Sequence, residues 1–187
     1  MPTFPIRIFG DPGLKTPCKE VPESEFGSLR RLADDMTTTM YEAPGVGLAA
    51  NQIGVLKRLF VYDVGDGPYA VVNPTIVETD GEYEHDEGCL SVPDLFFPMT
   101  RANRVHLKGW DLSGAEVDME GDKLLGRVFL HEVDHLEGHL LLDRLDRERR
   151  KAALKIMRHR TLGLPVEDVP EGVLLRGAGE RAAERGA

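Results

Sequence analysis

Apolar residues recur every three or four positions after residue 27, the spacing that places side chains on one face of an α-helix. Ser28 is a suitable N-cap for such a helix, and Pro44 with Gly45 would end it. Its predicted apolar face consists of Leu29, Leu32, Met36 and Met40. The Pro- and Gly-rich stretch before it, residues 1–27, has no such period and is predicted to be an extended arm.

A second helical pattern covers residues 122–136, and Gly138 is placed to serve as its C-cap. Its apolar positions are dense enough to predict a buried helix: Leu124, Leu125, Val128, Phe129 and Val133. A third helix is predicted over residues 147–161 and is closed by Gly163 and Pro165.

Between the first two helices, short runs rich in Val, Ile and aromatic residues predict β-strands at residues 59–62, 69–72, 75–77 and 105–107. Turn signals separate these runs at Gly65-Asp66-Gly67-Pro68, Asn73-Pro74 and Asp80-Gly81. A further hairpin is predicted between Trp110 and residues 116–119, around Ser113-Gly114. Because the strands are grouped and do not alternate with helices, the pattern predicts an α+β fold.

The length of 187 residues favours one domain, which we place at residues 1–163. Residues 164–187 are rich in Gly, Ala, Glu and Arg without a period, a composition typical of a flexible tail. No apolar run approaches the roughly 20 residues that cross a bilayer. The first ten residues lack the features of a signal peptide, so a cytoplasmic location without membrane contact is predicted.

The formal net charge of −9 argues against a protein that wraps a phosphate backbone. One segment is nevertheless strongly basic: Arg144, Arg147, Arg149, Arg150, Lys151, Lys155, Arg158 and Arg160. A solvated helix face is the simplest interpretation of this run, and a contact with RNA or the ribosome is the alternative. Nothing in the sequence requires an oligomer.

The segment His131-Glu132-Val133-Asp134-His135 is the strongest chemical signal in the chain. Residues four apart on a helix share a face, so His131 and His135 can bind one metal ion. Glu132 would then lie beside a metal-bound water. A non-functional pair of histidines on a helix face is the alternative.

A catalytic site of this kind needs a third protein ligand and one open position. His139 has suitable spacing, but Gly138 is predicted to end the helix before it. Cys89 is the stronger candidate, because a thiolate binds divalent first-row metals well. There are two cysteines, Cys18 and Cys89, and either by itself could be a buried apolar residue.

Three segments occur in the order seen in one known family. Gly45-Val46-Gly47-Leu48-Ala49-Ala50-Asn51-Gln52 comes first, Glu87-Gly88-Cys89-Leu90-Ser91 second, and the His-Glu-x-x-His segment third. In this order and content the chain resembles the peptide deformylases, and the resemblance spans roughly residues 4–146. It implies the deformylase-like α+β fold, with short antiparallel strands around a central metal-binding helix and a helix towards each end.

The resemblance also implies the site residues and the reaction. Cys89, His131 and His135 would hold one divalent metal ion, with Fe²⁺ as the physiological metal and Zn²⁺, Ni²⁺ or Co²⁺ as replacements. Metal-bound hydroxide would attack the formyl carbon of an N-terminal formylmethionine on a newly made polypeptide, releasing formate. Glu132 would be the general acid and base. The Gln52 side chain and the Leu90 amide would stabilise the oxyanion, while Val46 and Gly47 would bind the substrate backbone.

Further expectations concern the surroundings of the site. Glu87 is expected to pair with Arg101 and brace the cysteine loop. The methionine pocket is expected to be lined by Leu124, Val128 and His131, with a second wall from Leu95, Phe96, Phe97 and Met99, unless these residues belong to the core. Two positions depart from the usual pattern, Leu130 and Arg127. Neither is expected to touch the ligands, so they are predicted to tune the pocket.

Two other functions remain open from the residues themselves. A zincin-type endopeptidase shares the His-Glu-x-x-His helix but requires neither Cys89 nor Gln52. A structural metal protein, or an inactive deformylase relative that serves as a binding module, would need no catalytic Glu132. A structural site normally has four protein ligands, and the sequence offers no convincing fourth.

Overall fold

The computed structural model describes residues 3–166 and 169–176. Within these residues there are three α-helices: α1 (Arg30–Glu42), α2 (Lys123–Leu136) and α3 (Arg147–Thr161). There are also four short 3₁₀-helices, at Pro12–Lys15, Glu23–Leu29, Ala50–Ile53 and Leu141–Asp143. The strands are β1 (Gly47–Ala49), β2 (Leu59–Tyr62), β3 (Tyr69–Asp80), β4 (Tyr83–Cys89), β5 (Val92–Arg101), β6 (Arg104–Trp110), β7 (Glu116–Asp122) and β8 (Leu174–Leu175).

The strands form two antiparallel sheets. The larger sheet has the order β1-β2-β3-β6-β7, and the smaller has the order β4-β5-β8. The helix α2 contacts β1, β2, β3, β6 and β7, so it lies across one face of the larger sheet. This arrangement confirms the predicted α+β fold with a central helix inside antiparallel strands.

Alternation along β2 explains how one sheet supports a helix on each face. Leu59 and Val61 pack in the apolar cluster that contains α1, whereas Phe60 and Tyr62 pack against α2. Successive side chains of a strand point to opposite faces, so four apolar residues in a row serve two cores. Phe129 of α2 closes the second core, with its ring edge-on to Tyr62 at a centroid distance of 5.5 Å.

All three predicted helices are present, and the main difference from the prediction is the start of the first helix. Residues 28 and 29 belong to the 3₁₀-helix that precedes α1, so Ser28 is not the N-cap of that helix. Its hydroxyl donates to the Glu25 carbonyl oxygen over 2.6 Å. A hydroxyl that is bonded back into the preceding turn is not available to cap the next one. Within its described part, residues 3–27, the predicted arm contains the 3₁₀-helix Pro12–Lys15 and the first five residues of the 3₁₀-helix Glu23–Leu29.

The prediction of two strands at residues 69–72 and 75–77 was wrong, because they form the single strand β3. Asn73-Pro74 lies in an irregularity of the β3–β6 ladder, where the register shifts between Val72 and Thr75. Asn73 adopts a positive φ of 49° there. Its side chain accepts from the Val21 N–H and donates to the Val21 carbonyl, both over 2.9 Å. These two bonds hold the bulge in place, so the strand continues through it.

The sequence pattern did not reveal β4 and β5, which are paired along most of their length. Most side chains of β4 are polar and only Glu87 and Cys89 are buried, so the strand lacks the apolar alternation that predicts one. It is also the strand that delivers Cys89.

The segment after α3 returns to the smaller sheet. Leu174 and Leu175 pair with Phe96 and Leu95 of β5, and Val173 is buried beside them. The division of the chain at residue 163 stays a prediction, as does the flexible tail for residues 177–187, which lie outside the described part. Within that part, no helix is both long and apolar enough to span a membrane.

Candidate metal centre and active site

The helix α2 brings the two predicted histidine ligands together. His131 and His135 lie one turn apart with their ring centroids 4.9 Å from each other. Cys89, at the end of β4, places its Sγ atom 3.2 Å from Nε2 of His135. One ligand atom from each of the three residues lies within 4.8 Å of the others. His139 follows the helix end, is exposed and lies outside this cluster.

Hydrogen bonds from two other segments of the chain fix the C-terminal end of α2. The Asn51 side chain donates to the His135 carbonyl over 2.6 Å, and the Cys18 N–H donates to the Leu136 carbonyl over 2.8 Å. Gly138 adopts a φ of 79° directly after the helix, where a Cβ would lie 2.8 Å from the Lys15 carbonyl oxygen. The last turn of the helix is therefore closely covered, which fixes the backbone that carries His135.

The donor set fits a divalent transition metal. A cysteine sulfur and two imidazole nitrogens are the ligand types that bind such ions. Burial and the charge of His131 hold the pKa of His135 well below its usual value. Among the described residues, the cluster contains three ligands and no fourth. Three protein ligands and one open position are typical of a catalytic site, not of a structural one.

Glu132 follows the ligand candidate His131 on α2 and is buried. Its side chain is only 3% exposed, and Oε2 has no hydrogen-bond partner among the described residues. Burial raises the pKa of its carboxyl group to about 7, against the opposing charge of His131 and with a smaller addition from Glu87. A carboxyl group with a pKa close to neutral pH is suited both to accept and to return a proton.

Gly47 passes directly against the Glu132 carboxylate. A Cβ at this position would lie 2.3 Å from Oε1 of Glu132 and 2.9 Å from its Cδ. Contacts this short do not occur, so only glycine lets β1 approach the carboxylate so closely. The position of Glu132 in the third motif therefore requires a glycine at residue 47 of the first motif.

We expect the substitution Gly47→Ala to displace Glu132 and lower kcat/KM by about a hundredfold, since a misplacement of about 1 Å has that order of effect. Bound metal should stay at wild-type stoichiometry, because the three atoms nearest to the new methyl group all belong to Glu132, which is not a ligand. Formate release and metal content would be measured together. Gly27→Ala is the matched control, since nothing lies within 4 Å of its added Cβ. A Gly47→Ala enzyme with wild-type activity would contradict this account.

Gln52 presents its amide to the cluster. Its Oε1 accepts from the Ala49 N–H over 2.9 Å, which leaves Nε2 to face Ser91 Oγ at 3.1 Å and Cys89 Sγ at 3.9 Å. The side chain is 1% exposed. Ser91 was not singled out in the sequence, although its position two residues after the cysteine was a usable signal.

Glu87 is buried and clamped by three partners. It accepts from Arg101 through Nε at 3.0 Å and Nη2 at 2.7 Å, from Arg127 Nη1 at 2.8 Å, and faces His131 Nδ1 at 2.7 Å. Burial opposes its ionisation, but the hydrogen bonds and charges of His131 and Arg101 outweigh burial and hold its pKa well below the usual range. The expected pairing of Glu87 with Arg101 is present. Because Nδ1 of His131 is engaged, the other ring nitrogen is the one left to bind metal.

Arg127 has a larger role than the sequence indicated. Besides Glu87, it donates to the carbonyl oxygens of Tyr83 and Met99, both over 3.0 Å, and its guanidinium lies over the Tyr83 ring. It therefore ties α2 to both β4 and β5, and reaches His131 through one carboxylate. Its position four residues before His131 on the same helix was the available signal. Leu130, the other departure, packs in the core cluster around α2.

The charge network continues to the surface. Arg101 also donates to Asp134 over 2.8 Å, and Asp134 accepts from Arg144 over 2.5 Å. Burial raises the pKa of Asp134, but the Arg144 hydrogen bond and the Arg101 charge outweigh it and leave the pKa below its ordinary value. Arg144 of the predicted basic run is therefore committed to this network.

A cavity of about 410 Å³ opens over the cluster. Its lining includes Gln52, Glu132 and four of the expected pocket residues, namely Leu124, Val128, His131 and Phe96. Val46, Gly47 and Leu90 also line it. Leu95, Phe97 and Met99 do not line this cavity. They are buried in the core cluster beside α3, which is the alternative that the sequence left open, because alternate side chains of β5 face away from the cavity.

Comparisons with known proteins identify the family of this chain. The family model described as polypeptide deformylase matches residues 3–151. The peptide deformylase of Acidothermus cellulolyticus is 48% identical over 158 residues, which cover 84% of this chain and 87% of the relative. The peptide deformylase structure from Legionella pneumophila is 38% identical with a TM-score of 0.79, covering 87% and 98%. The peptide deformylase structure from Ehrlichia chaffeensis in complex with actinonin is 34% identical with a TM-score of 0.81, and the match covers 86% of this chain and 98% of that structure.

The similarity covers most of the chain in sequence and extends to the three-dimensional arrangement of strands and helices. The matched region contains all three motifs and the complete Cys-His-His cluster. On this basis, the chain belongs to the peptide deformylase family.

Proposed function

We infer that this protein is a metal-dependent hydrolase that removes the formyl group from the N-terminal formylmethionine of newly made polypeptides and releases formate. The observation that carries this inference is the cluster of Cys89, His131 and His135 beside the buried Glu132, at the inner end of a cavity large enough for a methionine side chain. Family membership supports the same reaction.

Cys89, His131 and His135 are proposed to hold the metal ion. When a divalent ion is bound there, it acts as a Lewis acid and lowers the pKa of a water molecule into the neutral range. Glu87 keeps the His131 ring oriented through Nδ1, and Asn51 fixes the backbone at His135. Without these supports, the ligand side chains would have to be ordered each time a metal binds.

Glu132 is proposed to take a proton from the attacking water and to deliver it to the leaving nitrogen. The new bond forms between the water oxygen and the formyl carbon, and the bond from that carbon to the amide nitrogen breaks. The products are formate and a free amino terminus, so no further reactant is needed. General acid and base assistance of this kind contributes about 10²- to 10⁴-fold to a rate.

Gln52 and Leu90 are proposed to stabilise the negative charge that grows on the formyl oxygen. The amide nitrogen of Gln52 already faces the cluster, since its oxygen is held by Ala49. Leu90 follows Cys89 directly and lines the same cavity. Donors that are fixed before the reaction act strongly, because they need not reorganise as the charge develops.

Val46 and Gly47 are proposed to bind the peptide backbone. The strand β1 is at the edge of the larger sheet and pairs only with β2 within the described residues. An edge strand presents backbone groups to which an extended peptide can add. The Val46 carbonyl also accepts from the Asp63 N–H over 3.0 Å, so one of its two lone pairs is already used. The methionine side chain would then enter the apolar part of the cavity between Leu124 and Val128.

Fe²⁺ is the physiological metal that we propose, with Zn²⁺, Ni²⁺ and Co²⁺ as alternatives. All four are borderline ions that accept mixed thiolate and imidazole ligands. The proposed location is the cytoplasm, where new chains are made, and no oligomer is required. Metal analysis of protein purified without oxygen would identify the ion.

Formate release from formyl-Met-Ala-Ser tests the function itself. Protein purified without oxygen and loaded with iron or nickel should release formate with multiple turnovers. No release from fully loaded protein would overturn the proposal. The endopeptidase alternative predicts cleavage of internal peptide bonds, and the structural alternative predicts no hydrolysis at all. The presence of Cys89 in the cluster disfavours the first, and the absence of a fourth ligand among the described residues disfavours the second.

A contact with the ribosome is proposed through one face of α3. Arg149, Arg150 and Arg160 pair with carboxylates, but a stripe of exposed cations recurs every three or four residues: Arg147, Lys151, Lys155 and Arg158. Such a stripe can meet a phosphate backbone. Charge reversal at Lys151 and Lys155 should lower cosedimentation with ribosomes at low salt while formyl-Met-Ala-Ser turnover is retained. Unchanged cosedimentation would remove this proposal.

A further inference from the structure

The last described segment of the chain ends at the wall of the cavity. The strand β8 pairs with β5, and the Arg176 N–H that follows it donates to the Asp94 carbonyl over 3.2 Å. This segment lies beyond residues 3–151, the part matched by the family model. It therefore lies outside the part of the chain that the family model covers.

Arg176 contacts two residues that line the cavity. Its Nη2 is hydrogen-bonded to Oδ2 of Asp86, and its guanidinium lies over the Phe96 ring at 4.9 Å from the centroid. The Asp86–Arg176 pair is only partly exposed, at 26% and 27% of the side chains. Because both side chains are partly shielded from water, solvent screens the attraction between Asp86 and Arg176 only incompletely.

Phe96 also packs directly on the strand that carries the cysteine ligand. A Cβ on Gly88 would lie 2.5 Å from this ring, so the ring rests against bare backbone one residue before Cys89. Arg176 contacts this same ring. The Arg176 side chain thus supports the cavity wall in two ways, by packing on Phe96 and by neutralising Asp86.

The place of Asp86 along β4 indicates which part of a substrate it would face. It is three residues from Cys89, a distance of about 10 Å at the rise of a β-strand. An extended peptide advances about 3.4 Å per residue, so a peptide that runs along β4 with its formyl group at the metal would place its second and third residues at this level. Nascent chains vary freely at these positions, and an unpaired carboxylate there would favour cationic residues over anionic ones.

We propose that Arg176 is a specificity-determining residue, which neutralises Asp86 and fixes Phe96 so that the enzyme accepts peptides regardless of the charge that follows the formylmethionine. This inference rests on the proposed deformylase function. It assigns a substrate-binding role to the C-terminal strand, whose sequence carries no motif.

The test compares kcat and KM for formyl-Met-Ala-Lys, formyl-Met-Ala-Glu and formyl-Met-Ala-Ser at low salt. In Arg176→Gln, the ratio of kcat/KM for the Lys peptide to that for the Glu peptide should rise about three- to fivefold, the range of a partly exposed ion pair. The change should appear in KM, and salt should weaken it. In the double variant with Asp86→Asn, the ratio should return to the wild-type value.

Two further variants separate charge from packing. Arg176→Lys keeps the charge but loses the planar contact with Phe96, so the ratio should stay near wild type while KM rises for all three peptides. Arg31→Gln makes the same change in net charge on an exposed side chain of α1, and its ratio should equal that of the wild type. Melting temperatures of all variants would show whether the fold is intact.

An unchanged ratio in folded Arg176→Gln would overturn the proposal, as would a changed ratio that persists in the double variant. The wild-type enzyme on formyl-Met-Ala-Ser reports the proposed function separately. If it releases no formate, the deformylase function fails, and the specificity role of Arg176 falls with it.

Discussion

Replacing Glu132 with glutamine is expected to lower kcat/KM for formyl-Met-Ala-Ser by about 10²- to 10⁴-fold, the usual contribution of a general acid and base. Glutamine fills the same volume against Gly47 but cannot accept and return a proton. The buried carboxyl group, whose pKa burial raises to about 7, is the group of the site best placed to do both. The loss should appear in kcat, since the apolar pocket for methionine is untouched.

The measurement pairs formate release with metal content. Glu132→Gln should bind metal at the wild-type ratio, because the three ligands are other residues. Glu137→Gln is the matched control: it lies directly after the same helix, and its side chain is 47% exposed. If Glu132→Gln retained activity within a few-fold of the wild type, another group would have to move the proton and this mechanism would be wrong.

The second large effect is expected from Cys89→Ala, which should weaken metal binding by at least about a hundredfold. Even partners that only orient metal ligands contribute 10- to 100-fold to affinity, and removal of a ligand itself should cost more. Cys89 lies in the buried cluster with two imidazoles, and its Sγ is 3.2 Å from His135. Alanine leaves only two protein ligands. Activity should fall in proportion to the metal that is lost.

Cys18→Ala provides the control for the general effect of removing a cysteine. Cys18 is also buried, but burial raises the pKa of its thiol to about 11, so it remains protonated at neutral pH. Its variant should keep a full complement of metal. Retention of metal by Cys89→Ala would instead indicate a different third ligand, as the endopeptidase alternative requires. Dialysis against a graded chelator would give both affinities.

Local sequence patterns were sufficient for the parts of this fold that depend on neighbours along the chain. The third helix was predicted at residues 147–161 and is found there, and α2 begins one residue after its predicted start. Both end at clear stop signals, and α2 also has dense apolar positions along one face. The pairing of His131 with His135 follows from the same geometry, since four residues make about one helical turn.

The sequence failed where strands carry charge or where turn residues lie inside a strand. Tyr83–Cys89 is mostly polar, yet it is paired along its length with β5. Asn73-Pro74 indicated a turn, but two bonds to Val21, 52 residues away, keep it within β3. A long-range contact of this kind leaves no periodic trace in the local sequence, so propensity alone misplaces the element.

By itself, the sequence determined the α+β class, the helix with its two histidines and the motifs that identify the family. Only the tertiary structure decided how these parts support one another. It buried Glu87 among Arg101, Arg127 and His131, set Gly47 against Glu132, and brought Arg176 to Asp86 across 90 positions. The physical reason is that periodicity reports which face of an element is apolar, whereas the partner of a charge depends on which elements pack together.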